Sequence, residues 1–177
     1  NVFAAQIRRV AEEDKSALYN AGLTFNLHAL VGGQLENDLT HKLYLIYPQG
    51  NWVEVSEGTP YCIIGESGYG KPLLDRVLRY NSSMDLALKV GFLAFDATRT
   101  SSTSVEYPLN VVLYRNDTLD IIEKRLKKED LAEISSWWQS RIADSVEKLP
   151  ASWVDRLLEA LPKGTRSSPH DHGNSAS

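Results

Sequence analysis

The chain has 177 residues, 42% of them hydrophobic, so one domain with a substantial core is expected. The formal net charge of −4 argues against a general binder of nucleic acid or of anionic membranes. The single cysteine, Cys62, excludes an intramolecular disulfide and a thiolate metal centre, and the histidines lack neighbours that would suggest a metal, so no cofactor is expected. No apolar stretch approaches the roughly 20 residues that span a bilayer, and no signal peptide is visible, so the cytoplasm is the expected compartment.

The first residues have helical periodicity. Phe3, Ile7 and Val10 recur at a spacing of three to four, and charged residues lie mainly between them. Because the pattern begins without a capping residue and without an initiator methionine, we expect the chain to be a fragment of a longer one.

Alternating segments predict antiparallel strands in the first half of the chain. Residues 23–31 and 42–47 each alternate in polarity, and a turn at residues 36–38 joins them into a hairpin. A second turn, at residues 48–51, leads into a third short strand over residues 52–55.

The loop from Gly65 to Pro72 matches the phosphate-binding pattern G-x-x-x-x-G-K-[ST] except at its last position. Pro72 supplies neither the hydroxyl that would hold magnesium nor an amide hydrogen, but it fits the first turn of a helix. The strand-like residues 61–64 precede the loop and predict a strand-to-helix turn. Two interpretations remain open: a nucleotide site, or a glycine-permitted bend that brings polar groups near a reacting centre.

Two helices are expected after this loop. The first covers about residues 72–80, and the second runs from a serine cap at Ser82 or Ser83 to about Ala97. Asp96 would lie at the carboxyl end of the second helix, where an acid opposes the helix dipole. This placement makes Asp96 a candidate site residue, although local capping of the following loop is an alternative role.

The second half predicts two further strands and two further helices. Residues 109–113 and 119–121 should pair, whereas residues 126–130 fit either a strand or a helix. A long helix over about residues 130–148 and a short one from near Ser152 follow. The inward side of the long helix would carry Leu131, Ile134, Trp138, Ile142 and Val146.

This order of elements predicts an α+β fold with one domain over residues 1–162 and a disordered tail over residues 163–177. It does not fit the parallel sheet of a nucleotide-binding protein. A basic cluster at Lys124, Arg125, Lys127 and Lys128 is flanked by acids, so a solvated charged face is favoured there over a nucleic-acid site.

Three segments stand out as specific. They are Leu-Tyr-Leu-Ile-Tyr-Pro-Gln-Gly-Asn at 43–51, Ile-Gly-Glu-Ser-Gly-Tyr-Gly-Lys-Pro-Leu-Leu-Asp-Arg-Val at 64–77, and Phe-Asp-Ala-Thr at 95–98. Together they resemble the ancestral beta subunit (Anbu) family of bacterial proteasome-type peptidases, and the similarity covers most of residues 23–148. The resemblance implies an N-terminal nucleophile hydrolase fold, with two antiparallel sheets between helical layers, here lacking the first strands.

The resemblance also implies a reaction mechanism. In this family the hydroxyl of an N-terminal threonine attacks a peptide carbonyl, and its own amino group or a nearby water serves as base. The chain begins with Asn1 and has no counterpart of that threonine, its lysine or the first aspartate, so we expect the chain alone to be inactive. It would be a fragment of a longer subunit or a degenerate structural copy.

Four residues would form a supporting shell around the nucleophile. Asp96 resembles the second aspartate of proteasome beta subunits, and Ser101 is the candidate serine beside it. Glu66 or Ser67 would face the amine of the nucleophile. The implied partners are a peptide or protein substrate and further copies of the subunit in a ring or spiral, with no nucleic acid and no membrane. A non-catalytic assembly or binding subunit is the alternative function, and a nucleotide-binding module is a third.

Overall fold

The computed structural model describes residues 2–161. The elements in chain order are α1 (Val2–Glu13), α2 (Lys15–Asn20), β1 (Ala29–Gly33), β2 (Lys42–Ile46), β3 (Trp52–Glu54), α3 (Lys71–Val77), α4 (Met84–Ser101), β4 (Leu109–Tyr114), β5 (Ile121–Leu126), α5 (Lys128–Glu147) and α6 (Ser152–Glu159). The chain divides into two compact units between Ser135 and Ser136, inside α5, so the single domain over residues 1–162 stays a prediction. The predicted tail over residues 163–177 lies outside the described residues.

The first sheet has the order β1-β2-β3 and is antiparallel throughout, as the alternating segments predicted. Val31 lies opposite Tyr44, and Tyr44 lies opposite Glu54. The prediction of a strand over residues 23–31 was wrong at its start, because β1 begins at Ala29. The five residues of β1 pair with the five residues of β2, so the length of β2 limits how many residues of β1 can pair.

Helix α1 packs against the turn that joins β2 and β3. The Arg8 guanidinium donates a hydrogen bond from Nη1 to the carbonyl oxygen of Gly50 at 3.2 Å. Gly50 has φ of +78°, and a Cβ there would lie 2.8 Å from the carbonyl oxygen of Ala4. The turn therefore needs glycine both for its backbone conformation and for the close approach of α1.

The second sheet is the hairpin of β4 and β5; its antiparallel pairing was predicted, but the return strand predicted at residues 119–121 was placed too early, because Leu119 has φ of +57° and β5 covers Ile121–Leu126. Its six residue pairs run from Leu109 opposite Leu126 to Tyr114 opposite Ile121. The structure resolves the segment that the sequence left open, because β5 ends at Leu126 and α5 begins two residues later.

Helices α3 and α4 form the main apolar cluster of the first unit. Leu74, Val90 and Ala94 are buried together, with Tyr61 and Ile63 packed against them. The prediction of a strand over residues 61–64 was wrong, since these residues form no ladder and instead place side chains on this cluster. The strand that a phosphate-binding loop requires before its glycines is thus missing here.

Helix α4 begins as predicted and ends later than predicted. The Ser83 hydroxyl accepts a hydrogen bond from the Leu86 amide, as an N-cap should. The helix continues to Ser101, and the hydroxyl of Thr100 bonds back to the carbonyl oxygen of Asp96 at 2.8 Å. Asp96 therefore lies inside the helix and not at its end.

Burial along α5 is confined to its first two turns. Leu131 and Ser135 are buried, whereas Ile134 and Ile142 are each 45% exposed and Val146 is 66% exposed. The predicted inward stripe was therefore wrong at Ile134, Ile142 and Val146, while Trp138 is half-buried, because helical spacing shows which side chains share a face but not how far a partner extends along it.

Three polar side chains close the base of the loop that precedes α3. The Lys71 ammonium lies 2.8 Å and 2.9 Å from the two carboxylate oxygens of Asp75 and 3.0 Å from the Tyr61 hydroxyl, and that hydroxyl donates to Asp75. Tyr61 precedes the loop, Lys71 lies near its carboxyl end and Asp75 follows it, so the cluster ties the two ends of the loop together. Gly70, which directly precedes Lys71, packs closely against the backbone of Ala94 in α4.

Replacing Gly70 with alanine should destabilise the protein by about 1–3 kcal/mol. The new Cβ would lie 2.8 Å from the carbonyl oxygen of Ala94, while the backbone, with φ of −86° and ψ of −32°, already suits alanine. Urea denaturation measures the effect. Gly68→Ala is the matched control, because its Cβ would meet only Glu66 Oε1 at 3.7 Å, and we expect a change within about 0.5 kcal/mol. Equal stability of the two variants would contradict the packing of the loop on α4.

The pH dependence of the loop base follows from two pKa shifts. Hydrogen bonds from Lys71 and then Tyr61 hold the pKa of Asp75 below its ordinary 3.8, and hydrogen bonds to Asp75 and Tyr61 raise the pKa of Lys71 to about 12. The lowered carboxyl pKa gives stability that is present above 3.8 and lost as the pH falls through the folded value. The raised lysine pKa gives stability that is present below 10.5 and lost as the pH rises through about 12.

An NMR titration of the Asp75 carboxyl tests this arrangement. We expect a pKa below 3.8 in the unchanged protein and a rise toward that value in Lys71→Met, which removes the main donor. Lys89→Met is the control, since Lys89 forms an equivalent exposed pair with Asp85 and should leave Asp75 unaffected. An ordinary pKa for Asp75 in the unchanged protein would show that the cluster does not form.

Candidate functional site

Asp96 is the one charged residue among residues 2–161 that is buried, with 3% of its surface exposed. Its Oδ1 accepts a hydrogen bond from the Ser135 hydroxyl at 2.8 Å and another from Arg99 Nη2 at 2.9 Å. A buried carboxylate is costly unless donors compensate it, so these two contacts account for its presence inside the protein. They also join α4 to the start of α5.

Arg99 extends this network toward the hairpin of β4 and β5. The hydrogen bond to Asp96 raises the pKa of the Arg99 guanidinium above its ordinary value, so it remains positively charged. Its Cζ lies 5.3 Å from the ring centre of Tyr107, a cation–π contact, and its Nε is buried without a hydrogen-bond partner among the described residues. The positive charge is thus held between a carboxylate and an aromatic ring.

Tyr107 forms an aromatic wall beside this ion pair. Its ring centre lies 5.4 Å from that of Phe95 in an edge-to-face arrangement, and burial is the main cause that raises the pKa of its phenol. The phenol therefore stays protonated near neutral pH, and the wall carries no charge of its own.

The serine that contacts Asp96 differs from the one that the sequence indicated. Ser101 is exposed at the last residue of α4, while Ser135 of α5 is buried and donates to the carboxylate. The two partners are 39 residues apart, so local spacing could not reveal the pair. One signal was available, because Ser135 lies one helical turn after the apolar Leu131 and shares its face.

Glu66 and Ser67 lie in an exposed part of the glycine-rich loop. Glu66 Oε1 accepts a hydrogen bond from the Gly68 amide at 3.4 Å, and the carbonyl oxygen of Ser67 accepts one from the Lys71 amide at 3.4 Å. Gly65 has φ of +79°, which lets the chain reverse direction at the start of the loop. The side chains of both candidate residues are exposed to solvent.

The glycine-rich loop and the Asp96 side chain lie on different sides of α4. The loop contacts α4 at Ala94 through Gly70. Asp96 is two residues further along, which is about 200° around a helix, and it faces Ser135 instead. Among the described residues, no hydrogen bond joins Asp96 to Glu66 or Ser67, so the structure does not bring the predicted shell together directly.

The first unit has two open cavities of note. A cavity of about 320 Å³ is lined by Phe3, Val31, Tyr44, Ile46 and Trp52. A second, of about 260 Å³, is lined by Tyr107, Pro108, Arg125, Lys127 and Lys128. The first is apolar and aromatic, and the second is basic.

Residues 2–161 contain no group of three or more histidine, cysteine, aspartate or glutamate side chains placed to hold a metal ion. Over the same residues, no helix combines the length and the apolar character that crossing a membrane requires.

The chain is similar to solved structures of Anbu proteins. It shares 33% identity with Anbu (ancestral beta-subunit) from Yersinia bercovieri over 84% of this chain and 62% of that one, with a TM-score of 0.78. For the helical assembly of the Anbu complex from Pseudomonas aeruginosa, the identity is 32% over 82% of this chain and 64% of that one, with a TM-score of 0.72. For Anbu from Hyphomicrobium sp. strain MC1, the identity is 35% over 79% of this chain and 58% of that one, with a TM-score of 0.70. No family model and no curated protein matches the chain.

The chain spans less than two thirds of the length of each of these structures. Its mixed architecture with two small antiparallel sheets matches their N-terminal nucleophile-like fold, which confirms the predicted fold class. Over the part of those proteins that it covers, the chain is similar in sequence and fold to Anbu ancestral beta-subunits, which is consistent with a partial Anbu-family chain.

Proposed function

We propose that this chain is part of a proteasome-type threonine peptidase subunit, which hydrolyses amide bonds with an N-terminal nucleophile. The 177 residues would supply the supporting shell, and the nucleophile would lie in the part of Anbu proteins that this sequence does not cover. The observation that carries the proposal is the buried Asp96 carboxylate, the residue that the family resemblance had indicated independently. A buried charge with one specific ionic partner is a frequent property of catalytic sites.

Asp96 would orient the nucleophile through one of its two oxygens. Oδ1 carries the hydrogen bonds from Ser135 and Arg99, whereas Oδ2 accepts none from the described residues. Oδ2 is thus the acceptor available for the hydroxyl or amine of a threonine nucleophile, and the two contacts on Oδ1 would hold the carboxylate in place.

Assembly with further copies of the subunit is part of the proposal, as are a cytoplasmic location and a peptide or protein substrate. The Anbu complex from Pseudomonas aeruginosa forms a helical assembly, which supports self-association by likeness. In the second unit, α6 exposes much of its apolar surface, namely at Trp153, Leu157 and Leu158. Exposed apolar side chains grouped on one helix are typical of a surface that a partner covers.

A non-catalytic assembly subunit is the alternative. Two observations favour it: Asp96 is almost inaccessible, and the loop with Glu66 and Ser67 approaches α4 from another side. In that case the network around Asp96 would serve only to join α4 to α5.

A peptidase assay on two proteins separates these functions. One is the chain alone, and the other is the chain joined to the segment of Yersinia bercovieri Anbu that it does not cover, processed to a free N-terminal threonine. We expect cleavage of a peptide library, read by mass spectrometry, only by the extended protein, and loss of that cleavage when the threonine is replaced by alanine. A folded, assembled extended protein that cleaves nothing would establish the non-catalytic alternative.

Single substitutions in the extended protein then test the supporting shell. Asp96→Asn keeps the side-chain size and should lower kcat by about 100-fold, because the charge that orients the nucleophile is lost. Ser135→Ala should lower kcat as well, whereas Ser101→Ala should leave it within about twofold, since Ser101 is exposed. An unchanged kcat in Asp96→Asn would remove Asp96 from the site.

A further inference from the structure

The cavity beneath the hairpin of β4 and β5 is lined by three cations and no carboxylate. Arg125 projects from β5, Lys127 follows that strand, and Lys128 is the first residue of α5. Tyr107 and Pro108 supply the apolar part of the wall. A concave surface with one sign of charge concentrates ligands of the opposite sign.

The three cations have no partners within the described part of the chain. The side chains of Arg125, Lys127 and Lys128 form no hydrogen bond and no ion pair there, although the other lysines and arginines of the first unit include several that pair with acids. Cations that are left unpaired side by side repel one another, so a bound anion would stabilise this arrangement.

The neighbouring acids adjoin the cavity but do not line it. Asp130 accepts a hydrogen bond from the Lys127 amide at 2.7 Å, and Glu106 accepts one from the Tyr107 amide at 2.9 Å. Glu123 and Glu129 adjoin the basic segment in the sequence, but neither lines the cavity. The positive charge of the wall is therefore not cancelled from within it.

We propose that this cavity binds a phosphate group. Arginine presents a planar fork of donors that matches phosphate oxygens, and two lysines add point charges beside it. A volume of about 260 Å³ lies below the usual range of sites for larger organic ligands, so it suits a phosphate ion or a small phosphate monoester. The glycine-rich loop at residues 65–72, which resembles a phosphate loop in sequence, lines no part of it.

The bound anion would also lie close to the Asp96 network. Tyr107 lines the cavity and also lies beneath the guanidinium of Arg99, which bonds to Asp96. One aromatic side chain thus separates the phosphate site from the buried ion pair.

An NMR titration of the whole chain with sodium phosphate, at ionic strength held constant with sodium chloride, tests the proposal. We expect saturable shifts at the amides of Tyr107 and Lys128, and affinity about tenfold weaker in Lys127→Ala, which removes a charge-assisted contact. Lys124→Ala is the matched control. It makes the same charge change on β5, three residues before Lys127, but Lys124 lies outside the cavity wall, so affinity should change by less than about twofold.

Phenyl phosphate in a parallel titration identifies the source of the phosphate group. Tighter binding than inorganic phosphate would assign an organic phosphate monoester, and equal binding would assign the free ion. The proposal is overturned if neither compound saturates, if Lys124→Ala and Lys127→Ala weaken binding equally, or if the shifts map to residues 65–72.

Discussion

The burial of one carboxylate constrains how the helices of the first unit are arranged. Asp96 has almost no contact with solvent, so donors must reach it from inside the protein. Arg99 supplies one donor from the next turn of the same helix, and Ser135 supplies the other from α5. Because the second donor belongs to a different helix, the requirement of Asp96 fixes the first turns of α5 against α4. The short buried stretch of α5, limited to Leu131 and Ser135, is where this contact is made.

Helix α4 consequently makes packing contacts on two sides. Val90 and Ala94 face α3 and the glycine-rich loop, where Gly70 allows the two backbones to approach closely. Asp96 faces the opposite direction and reaches α5. A single helix thereby positions both regions that the family resemblance associates with the nucleophile, and its rotation decides whether they can serve one reacting centre. For the proposed function, a nucleophile would have to reach both Asp96 Oδ2 and the loop, although α4 lies between them.

The sequence predicted those features that depend on neighbouring residues. Both hairpins followed from alternation and turns, and the Ser83 cap followed from helix chemistry, because each is determined within a few residues. Features that depend on distant partners were missed. Residues 61–64 form no strand ladder, Ile134, Ile142 and Val146 of α5 are exposed, and the contact between Ser135 and Asp96 joins residues 39 positions apart. Asp96 was singled out for a position at a helix end that it does not occupy, and its burial inside α4 did not follow from the sequence.

The packing of α4 against α5 depends most on the contact between Asp96 and Ser135, and a double-mutant cycle measures that contact directly. The free energies of unfolding of the unchanged protein, Asp96→Ala, Ser135→Ala and the double variant give the coupling between the two side chains, since alanine removes the acceptor that asparagine would keep. A buried pair in direct contact should couple by about 0.5–3 kcal/mol, whereas the same cycle with Ser101→Ala should give a coupling near zero. Coupling to Ser101 together with none to Ser135 would contradict the packing of α4 against α5 described above.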